Sequence, residues 1–519
     1  MTETFETELK LELDQTSLKH ARSAELPCRY SAGRPVTRNL RSIYFDTPDC
    51  RLRKAKWSLR VRKTGRDWVQ TVKSGTGLSG GLSRPREYEV RISGPVPELD
   101  RIEDEALKSA LLRLIGTDKP VPQFETVVRR TTKQIKDAGG TEIELALDDG
   151  QIVSGERQCP ITEAELELKS GSVDVLYDVA KALVNGSPVR FSQSSKAARG
   201  YAFAAGEESG PPMPKTAGNI EISDGDTAEL ALRAILRSCF DQISHNRIVV
   251  LETEDPEGPH QLRIGLRRLR SAFNVFRKII DPAASRNLDQ RARSIAAEVG
   301  NLRDLDVLID EIIAPLEPEM PKSVTADALI SHIRDEREKV RESVRQMLGD
   351  PNTNDFLFDL AAYTESRGWL TPQAIEQTVA LARPISFFAA KALTKQWKAA
   401  SKYGRRIEEL TIEERHEMRK ALKKLRYTVE FFRPIYKEKA VRPFLEKMKT
   451  LQDMFGYLND VAMAEKLTGL PDAKGQKGAS VALATGFAIG WHEARATGAW
   501  SQAKQLWDRT SKADKFWIK

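Results

Sequence analysis

The period of the hydrophobic pattern changes once along this chain, near residue 210. Upstream, short segments alternate apolar and polar residues; downstream, long segments rich in Ala, Leu, Arg and Glu repeat with a period near 3.6. Alternation sets side chains on opposite faces of a strand, and the longer period sets them on one stripe of a helix. The chain therefore folds as domains of two classes. Between them, Gly206-Glu207-Glu208-Ser209-Gly210-Pro211-Pro212-Met213-Pro214-Lys215 has the composition of a linker. A length of 519 residues fits roughly two to four domains. A 40% hydrophobic share excludes a disordered chain.

The first half predicts strands at Thr4–Leu13, Arg41–Phe45, Trp57–Lys63, Asp67–Lys73, Arg86–Ile92, Thr126–Ile135, Thr141–Asp148 and Thr162–Lys169. Eight strands with few helices among them suggest an antiparallel barrel or a large curved sheet. Asp104–Ile115 and Asp174–Val184 read as helices. The polar faces of the strands carry charge of a definite sign. Glu6, Glu8, Lys10 and Glu12 share one face, opposite Leu9, Leu11 and Leu13; Glu163, Glu165, Glu167 and Lys169 oppose Leu166 and Leu168. Arg60 and Arg62 flank Val61, Thr71 and Lys73 flank Val72, Glu87 and Glu89 flank Tyr88, and Glu142, Glu144 and Asp148 alternate with Ile143, Leu145 and Leu147. A single such strand is ordinarily a solvated outer face. Repetition favours another arrangement, because adjacent like charges repel unless a counter-ion lies between them. Charged faces turned inward, with apolar faces covered by helices, would enclose clustered carboxylates for Mg²⁺ or Mn²⁺ beside clustered Arg and Lys for phosphate.

Charge and cysteine usage set the context. Lys and Arg number 82 against 74 Asp and Glu, for a net +8, which by itself is mild. Cys28, Cys50, Cys159 and Cys239 lie far apart, as thiols do in a reducing compartment. The acidic start of the chain lacks an apolar signal core, and no run of about 18 apolar residues exists to span a membrane. The expected location is cytoplasmic. No G-x-x-x-x-G-K-[ST] loop occurs; Gly75-Thr76-Gly77-Leu78-Ser79-Gly80-Gly81 lacks its lysine and reads as a hairpin connection, with a lid as the lesser alternative.

Glu6-Thr7-Glu8-Leu9-Lys10 resembles the E-x-E-x-K signature of CYTH domains, the triphosphate tunnel metalloenzymes. Tyr44-Phe45-Asp46-Thr47, Leu59-Arg60-Val61-Arg62, Gln70-Thr71-Val72-Lys73, Glu87-Tyr88-Glu89, the segments 142–148 and 163–169, and Ser195-Lys196-Ala197-Ala198-Arg199-Gly200-Tyr201 follow in the family's order. The resemblance covers roughly residues 1–205 and implies an eight-stranded antiparallel tunnel barrel that cleaves triphosphates with a divalent metal. It implies metal-binding carboxylates at Glu6, Glu8, Glu165 and Glu167, with Glu144 and Asp148 as further acids. Lys10, Arg60, Arg62, Lys73, Glu87 and Glu89 would form the catalytic set, and Arg130, Lys196 and Arg199 would bind substrate. Pro85 stands where an inward base is common, leaving open whether Arg84 or Arg86 reaches the substrate; Arg129 and Arg130 have opposite parity and pose the same question.

The helical half contains a duplication. At a shift of about 156 residues His260 meets His416, Arg263 meets Arg419, Arg267 meets Lys423, Arg268 meets Lys424 and Arg270 meets Arg426. Further on, Gly300 meets Gly456, Leu302 meets Leu458 and Asp304 meets Asp460. His260, Arg263, Arg267 and Arg270 share one helix face, as do His416, Arg419, Lys423 and Arg426. A cationic stripe is normally solvated or ion-paired. These two hold almost no acids within them, so a polyanion is the natural partner. Asp304 and Asp460 read either as residues that orient the bases or as ordinary caps and salt bridges. A zinc site at His260 and His416 is disfavoured, since neither has a second His or a carboxylate at i+4; hydrogen-bond donation to phosphate fits better.

The paired motifs Pro259-His260-Gln261-Leu262-Arg263 and Arg415-His416-Glu417-Met418-Arg419, with Asn301-Leu302-Arg303-Asp304-Leu305-Asp306, resemble CHAD domains. That family implies paired helical bundles whose basic surface binds inorganic polyphosphate. The expected architecture is α+β: a tunnel barrel at 1–205, a linker at 206–218, and an all-α domain of two pseudo-symmetric bundles at 219–512, with repeats at about 225–350 and 380–510. The expected activity is a metal-dependent inorganic triphosphatase acting on triphosphate, with polyphosphate as second partner. Adenylate cyclase, thiamine triphosphatase and a non-catalytic polyphosphate binder are the alternatives. Nucleic acid is disfavoured, because only 7% of residues are aromatic and none interleave the basic stripes.

Overall fold

The computed structural model describes residues 6–75, 80–187, 189–207, 210–321, 324, 326–464, 467 and 476–518. It divides into two compact units: Met1–Pro212 with Gly349–Gly368, and Met213–Leu348 with Trp369–Lys519.

The first unit is built on one curled antiparallel sheet. Its strands are β1 (Thr7–Glu12), β2 (Tyr30–Ala32), β3 (Val36–Asp46), β4 (Ser58–Thr64), β5 (Asp67–Ser74), β6 (Leu82–Ser83), β7 (Arg86–Ile92), β8 (Val121–Asp137), β9 (Glu142–Ser154), β10 (Arg157–Ser170) and β11 (Arg190–Phe191). The order is β11-β1-β10-β9-β8-β3-β4-β5-β7, with β2 on β8 and β6 on β1. Each of the eight expected segments forms a strand. The additional three, β2, β6 and β11, are too short to show a period. β6 matters for closure, since it lies between β5 and β7 yet pairs with Glu8 and Leu9 of β1. It thereby brings the two ends of the curled sheet together.

The apolar faces point outward and are covered. Helices α1 (Gln15–Ser23), α2 (Arg51–Lys54), α3 (Glu105–Ile115), α4 (Val173–Val184) and α5 (Lys196–Ala204) belong to this unit. Leu59, Val61 and Val72 pack with Leu107, Leu111 and Ile115 of α3 in one core. A second core lies on the opposite, charge-bearing face, where Tyr44, Phe124, Val128 and Ile152 pack with Tyr201 of α5. The Asp104 side chain caps α3 by accepting from Leu107 N at 2.9 Å, and Asp46 accepts from Leu52 N and Arg53 N at the start of α2. Such caps contribute about 1 kcal/mol each.

The second unit is helical: α6 (Ala228–Glu252), α7 (Glu257–Phe276), α8 (Pro282–Val307) and α9 (Asp327–Gly349), then, after α10 (Pro351–Glu365), α11 (Ile375–Ala382), α12 (Ile385–Gly404), α13 (Ile412–Phe432), α14 (Glu438–Ala464) and α15 (Gln476–Ser511). Helices α6–α9 and α12–α15 are the two copies of the repeat, with the motif histidines on α7 and α13. No helix among the described residues is long and apolar enough to cross a membrane; the apolar segment 481–489 lies within α15.

Helix α10 departs from the expected arrangement. It lies within the helical half of the sequence but clusters with the first unit. Its Phe358 ring meets Phe191 of β11 at 4.9 Å. Lys181 of α4 reaches Asp355 at 3.2 Å and Asp359 at 3.1 Å, and Asn354 donates to Ser187 O at 3.3 Å. Phe356, Leu357, Phe358 and Leu360 are all buried. Amphipathic periodicity says that a helix buries a face; it does not say against what.

Candidate functional site

The concave face of the sheet encloses a cavity of about 1010 Å³. Glu6, Glu8, Lys10, Arg60, Arg62, Lys73, Glu87, Glu89, Arg130, Glu144, Glu165, Glu167 and Lys196 line it, together with Tyr44, Thr71 and Lys169. The strand registers explain their grouping. Glu8, Glu167 and Glu144 stand directly opposite one another across β1, β10 and β9. Two residues along, Lys10 opposes Glu165, and beyond that Glu12, Glu163, Asp148 and Arg130 form a row across four strands. On the other wall, Arg60 lies between Tyr44 on β3 and Thr71 on β5, and Lys73 opposes Glu87.

Ion pairs lock most of these groups. Lys10 Nζ lies 2.9 Å from Glu8 and 3.3 Å from Glu165. Lys73 joins Glu6 at 2.9 Å to Glu87 at 2.8 Å, and Arg60 reaches Glu89 at 3.3 Å and Glu87 at 3.7 Å. Thr71 Oγ1 donates to Glu89 at 2.8 Å. Arg130 holds Asp148 through Nε and Nη2 and Glu165 at 2.5 Å. Burial works against the charges of Lys10 and Lys73, but Glu165 and Glu8 for the first, and Glu87, Glu8 and Glu6 for the second, hold both ammonium groups above their ordinary range. Glu165, buried among Lys10, Lys196 and Arg130, is held well below the usual carboxylate range.

In two places of the cavity burial works against the charged form. Burial, with Arg60 and Arg130 adding repulsion, pushes the Arg62 guanidinium down to about 10. Arg62 donates to Ser42 Oγ at 3.2 Å and makes no ion pair among the described residues. A half-buried cation of this kind, repelled by two others, asks for an anion. The opposite case is the acidic row. Burial raises Glu6, Glu8 and Glu167, with Glu87 acting on Glu6, Glu165 on Glu8, and Glu6 and Glu144 on Glu167. Glu8 Oε2 is buried and makes no hydrogen bond, although Lys10 Nζ is nearby. Oxygen donors only, crowded and partly unsatisfied, fit a hard divalent cation.

Several expected site residues are placed differently. Asp148, expected as a metal ligand, is wholly buried behind the cavity lining and engaged by Arg130 and Lys196. Arg199, expected on substrate, pairs with Glu163 and does not line the cavity. Neither Arg84 nor Arg86 lines it, and Arg86 is drawn to Asp104 at 2.7 Å. Of Arg129 and Arg130, the latter faces inward. Sequence reasoning left out Tyr44, stacked on Phe124 at 4.5 Å, whose hydroxyl burial would raise but Arg60, Arg62 and Lys196 lower below its ordinary value. It also left out Glu163. Parity places Glu163 on the charged face, but parity carries no depth, and Tyr44 stands in the sequence only as part of a motif. Residues 76–79 of the expected loop lie outside the described residues.

In the helical unit the two stripes meet. Burial, with Arg263 and Arg419 adding repulsion, pushes Arg267 down to about 10. His260 is lowered by burial and by Arg303, Lys423 and Arg263. Arg263 donates to Asp304 at 3.1 Å and to Gly300 O at 3.0 Å. Gly300 leaves room for that guanidinium, since a Cβ there would stand 2.8 Å from Arg263 Nη1 and the side chain would have to shift. The stripes are less free of acids than expected: Arg270 pairs with Asp289 at 3.1 Å and Arg426 with Glu430 at 2.7 Å. The cations of the two stripes come together at the centre, where Arg263 and Arg419 both act on Arg267, and Lys423 on His260. The Asp460 side chain lies outside the described residues.

A curled sheet with charges facing inward, joined to a duplicated helical unit, defines a two-domain class. The CYTH domain model matches residues 4–201 and the CHAD domain model residues 234–468. The chain carries a CYTH domain followed by a CHAD domain. An inorganic triphosphatase of Haemophilus influenzae is 34% identical over 168 residues, covering 31% of this chain. The match spans 45% of that relative's length. An uncharacterized protein of Mycobacterium tuberculosis is 26% identical over 416 residues, covering 76% of this chain and 75% of its own. Among solved structures, the CHAD domain from the plant Ricinus communis covers 58% of this chain and 98% of that chain, at 24% identity and a TM-score of 0.49.

Proposed function

We propose that the chain is a metal-dependent hydrolase that cleaves inorganic triphosphate to pyrophosphate and phosphate in the CYTH cavity, while the CHAD domain binds polyphosphate. The observation that carries this reading is the separation of charge inside one cavity: the half-buried cation Arg62, which makes no ion pair among the described residues, on one wall, and the crowded acidic row Glu8, Glu167 and Glu144 on another. A triphosphate bound with its cation answers both. The similarity of the CYTH half to an inorganic triphosphatase supports the same chemistry.

Arg60, Arg62 and Arg130 would take the phosphate oxygens, as guanidinium forks do. Lys10 and Lys73 sit between the acids and the bases and would bridge the chain to the acidic wall. Glu87 and Glu89 orient Arg60 and Lys73. Glu6, Glu8, Glu144 and Glu167 would hold Mg²⁺ or Mn²⁺, which would neutralise phosphate charge and acidify a bound water. Most of the rate gain would come from groups already fixed before substrate arrives. Central residues of the two stripes, His260, Arg263, Arg267, His416, Arg419 and Lys423, would bind polyphosphate.

A hydrolysis panel of tripolyphosphate, ATP, thiamine triphosphate and long-chain polyphosphate, with Mg²⁺ and Mn²⁺ varied, tests the reading. Tripolyphosphate is expected to turn over fastest, and Glu6→Ala and Lys10→Ala are each expected to abolish that turnover. Activity surviving both substitutions would sink the assignment.

A further inference from the structure

Beside the acidic row of β1, β10 and β9 lies a second group of acids that is already filled. Asp148, Glu163 and Glu165 each bring one oxygen to a common point, all within 4.8 Å of one another. All three residues are buried. Lys196 Nζ stands among them, 2.8 Å from Asp148, 2.6 Å from Glu163 and 2.6 Å from Glu165. An ordinary salt bridge joins one cation to one or two carboxylates; three oxygens converging on one cation is the arrangement of a chelate. Glu163 Oε2 sharpens the likeness. It is buried and meets no donor in hydrogen-bond geometry, so it faces the ammonium through charge alone, as an oxygen faces a metal ion.

The ammonium arrives on a rigid arm. Lys196 is the first residue of α5, whose start is fixed by Ser195 Oγ accepting from Ala198 N at 3.1 Å. The helix is seated directly on the Phe124 ring, where a Cβ on Gly200 would come within 2.0 Å of Phe124 Cε2. Tyr201 donates to Phe45 O at 2.9 Å and locks the turn behind it. Arg130 and Arg199 occupy the outer sides of the same carboxylates. Among the described residues the neighbouring row of Glu8, Glu167 and Glu144 has no helix-borne cation at its centre; Lys10, Lys169 and the amide of Gln134 meet it from the strands.

We propose that Lys196 is a tethered cation occupying the place of a divalent ion among Asp148, Glu163 and Glu165, so that the cavity loads its metal at the Glu6, Glu8, Glu144 and Glu167 side alone. The inference rests on the reading of the cavity as a metal-dependent site. A tethered ammonium has a high effective concentration among the three carboxylates, and it outcompetes an ion that must first shed water. Lys196 is then a positioning residue that sets where the metal goes.

Mn²⁺ binding to the full-length chain without phosphate, counted by electron paramagnetic resonance, tests this. The wild type is expected to bind one Mn²⁺, Lys196→Met two, and Lys196→Met with Glu163→Gln one again. Lys196→Arg is expected to stay at one. Thermal unfolding gives a second readout should Lys196→Met be fragile: Mn²⁺ is expected to restore its lost Tm, and to fail when Glu163→Gln is added. Equal stoichiometry in wild type and Lys196→Met, with no Mn²⁺ rescue, overturns the proposal while leaving the metal-dependent reading intact. No Mn²⁺ on the wild type but one on Lys196→Met keeps the proposal and overturns metal loading at the other side. No binding by either overturns both.

Discussion

Arg130 grips Asp148 with two hydrogen bonds, from Nε at 2.7 Å and Nη2 at 2.6 Å, between directly opposed residues of β8 and β9. The fork fixes the guanidinium plane beside the cavity before any substrate enters. Lysine keeps the charge but has no fork. Arg130→Lys is therefore expected to raise KM for tripolyphosphate by about tenfold, in the range of one lost charge-assisted contact, with the fold retained. Asp148→Ala strips the partner from Arg130 and Lys196 inside a buried network. It is expected to destabilise the CYTH unit by about 3–5 kcal/mol, read from urea denaturation.

Arg62 gives a prediction of opposite sign for stability and function. Its charge is repelled by Arg60 and Arg130 while no anion is present. Arg62→Met is expected to raise the stability of the substrate-free protein by about 1–2 kcal/mol, while weakening tripolyphosphate binding. Tripolyphosphate should raise the Tm of the wild type and much less that of the variant. Loss of stability in Arg62→Met would show that the repulsion is relieved in another way.

Arg263→Ala combined with Arg419→Ala removes two cations from the centre of the paired stripes. Long-chain polyphosphate binding is expected to fall by at least tenfold, with a shallower salt dependence, by analogy with phosphate contacts elsewhere. Tripolyphosphate turnover is expected to change little. Equal loss of both would mean that the two domains share one binding event.

Asp306 sets a pH dependence in the CHAD unit. Burial pushes its carboxyl up to about 6 despite Arg303, Arg337 and Arg341. Arg337 lies 3.6 Å away, and neither Asp306 oxygen has a hydrogen-bond partner. A carboxyl raised in the folded state holds its proton more tightly there than in the unfolded chain. Its contribution is thus fully present below the ordinary carboxylate range and is lost as pH rises through about 6. The difference in unfolding free energy between wild type and Asp306→Asn is expected to shift in that direction between pH 4 and 7, and to be flat above it.

Much of this was legible in the sequence for a definite reason. Alternation at Thr7–Glu12 or Arg157–Ser170 fixes which side chains share a face, so the inward charges could be named from parity. The duplication could be read because His260 and His416 sit in the same pattern. Depth was not legible. Asp148 and Arg130 share a face, yet one lines the cavity and the other lies behind it. Partners from other elements were equally hidden: nothing near Arg270 in the sequence announces Asp289, and nothing near Arg426 announces Gln452, which takes its Nη1 at 3.1 Å. β6 and β11 contain two residues each, too few to carry a period.

Helix α10 belongs by sequence to one half of the chain and by packing to the other. Residues 1–212 alone lack the helix that packs on α4 and β11, and Phe191 of β11 pairs with Leu11, next to Lys10. Each large apolar side chain buried by that helix contributes about 1.5–3 kcal/mol. A fragment ending at 212 is expected to unfold at lower urea concentration than the same unit in the full chain, and a peptide of residues 349–368 is expected to restore part of the difference.

During synthesis the CYTH half leaves the ribosome first, but its last structural element emerges only after the first copy of the CHAD repeat. β11, the neighbour of the strand that carries Glu8 and Lys10, therefore waits for its packing partner until that copy has been made. A nascent chain interrupted before residue 351 holds the complete set of cavity residues without the helix that packs on α4 and β11.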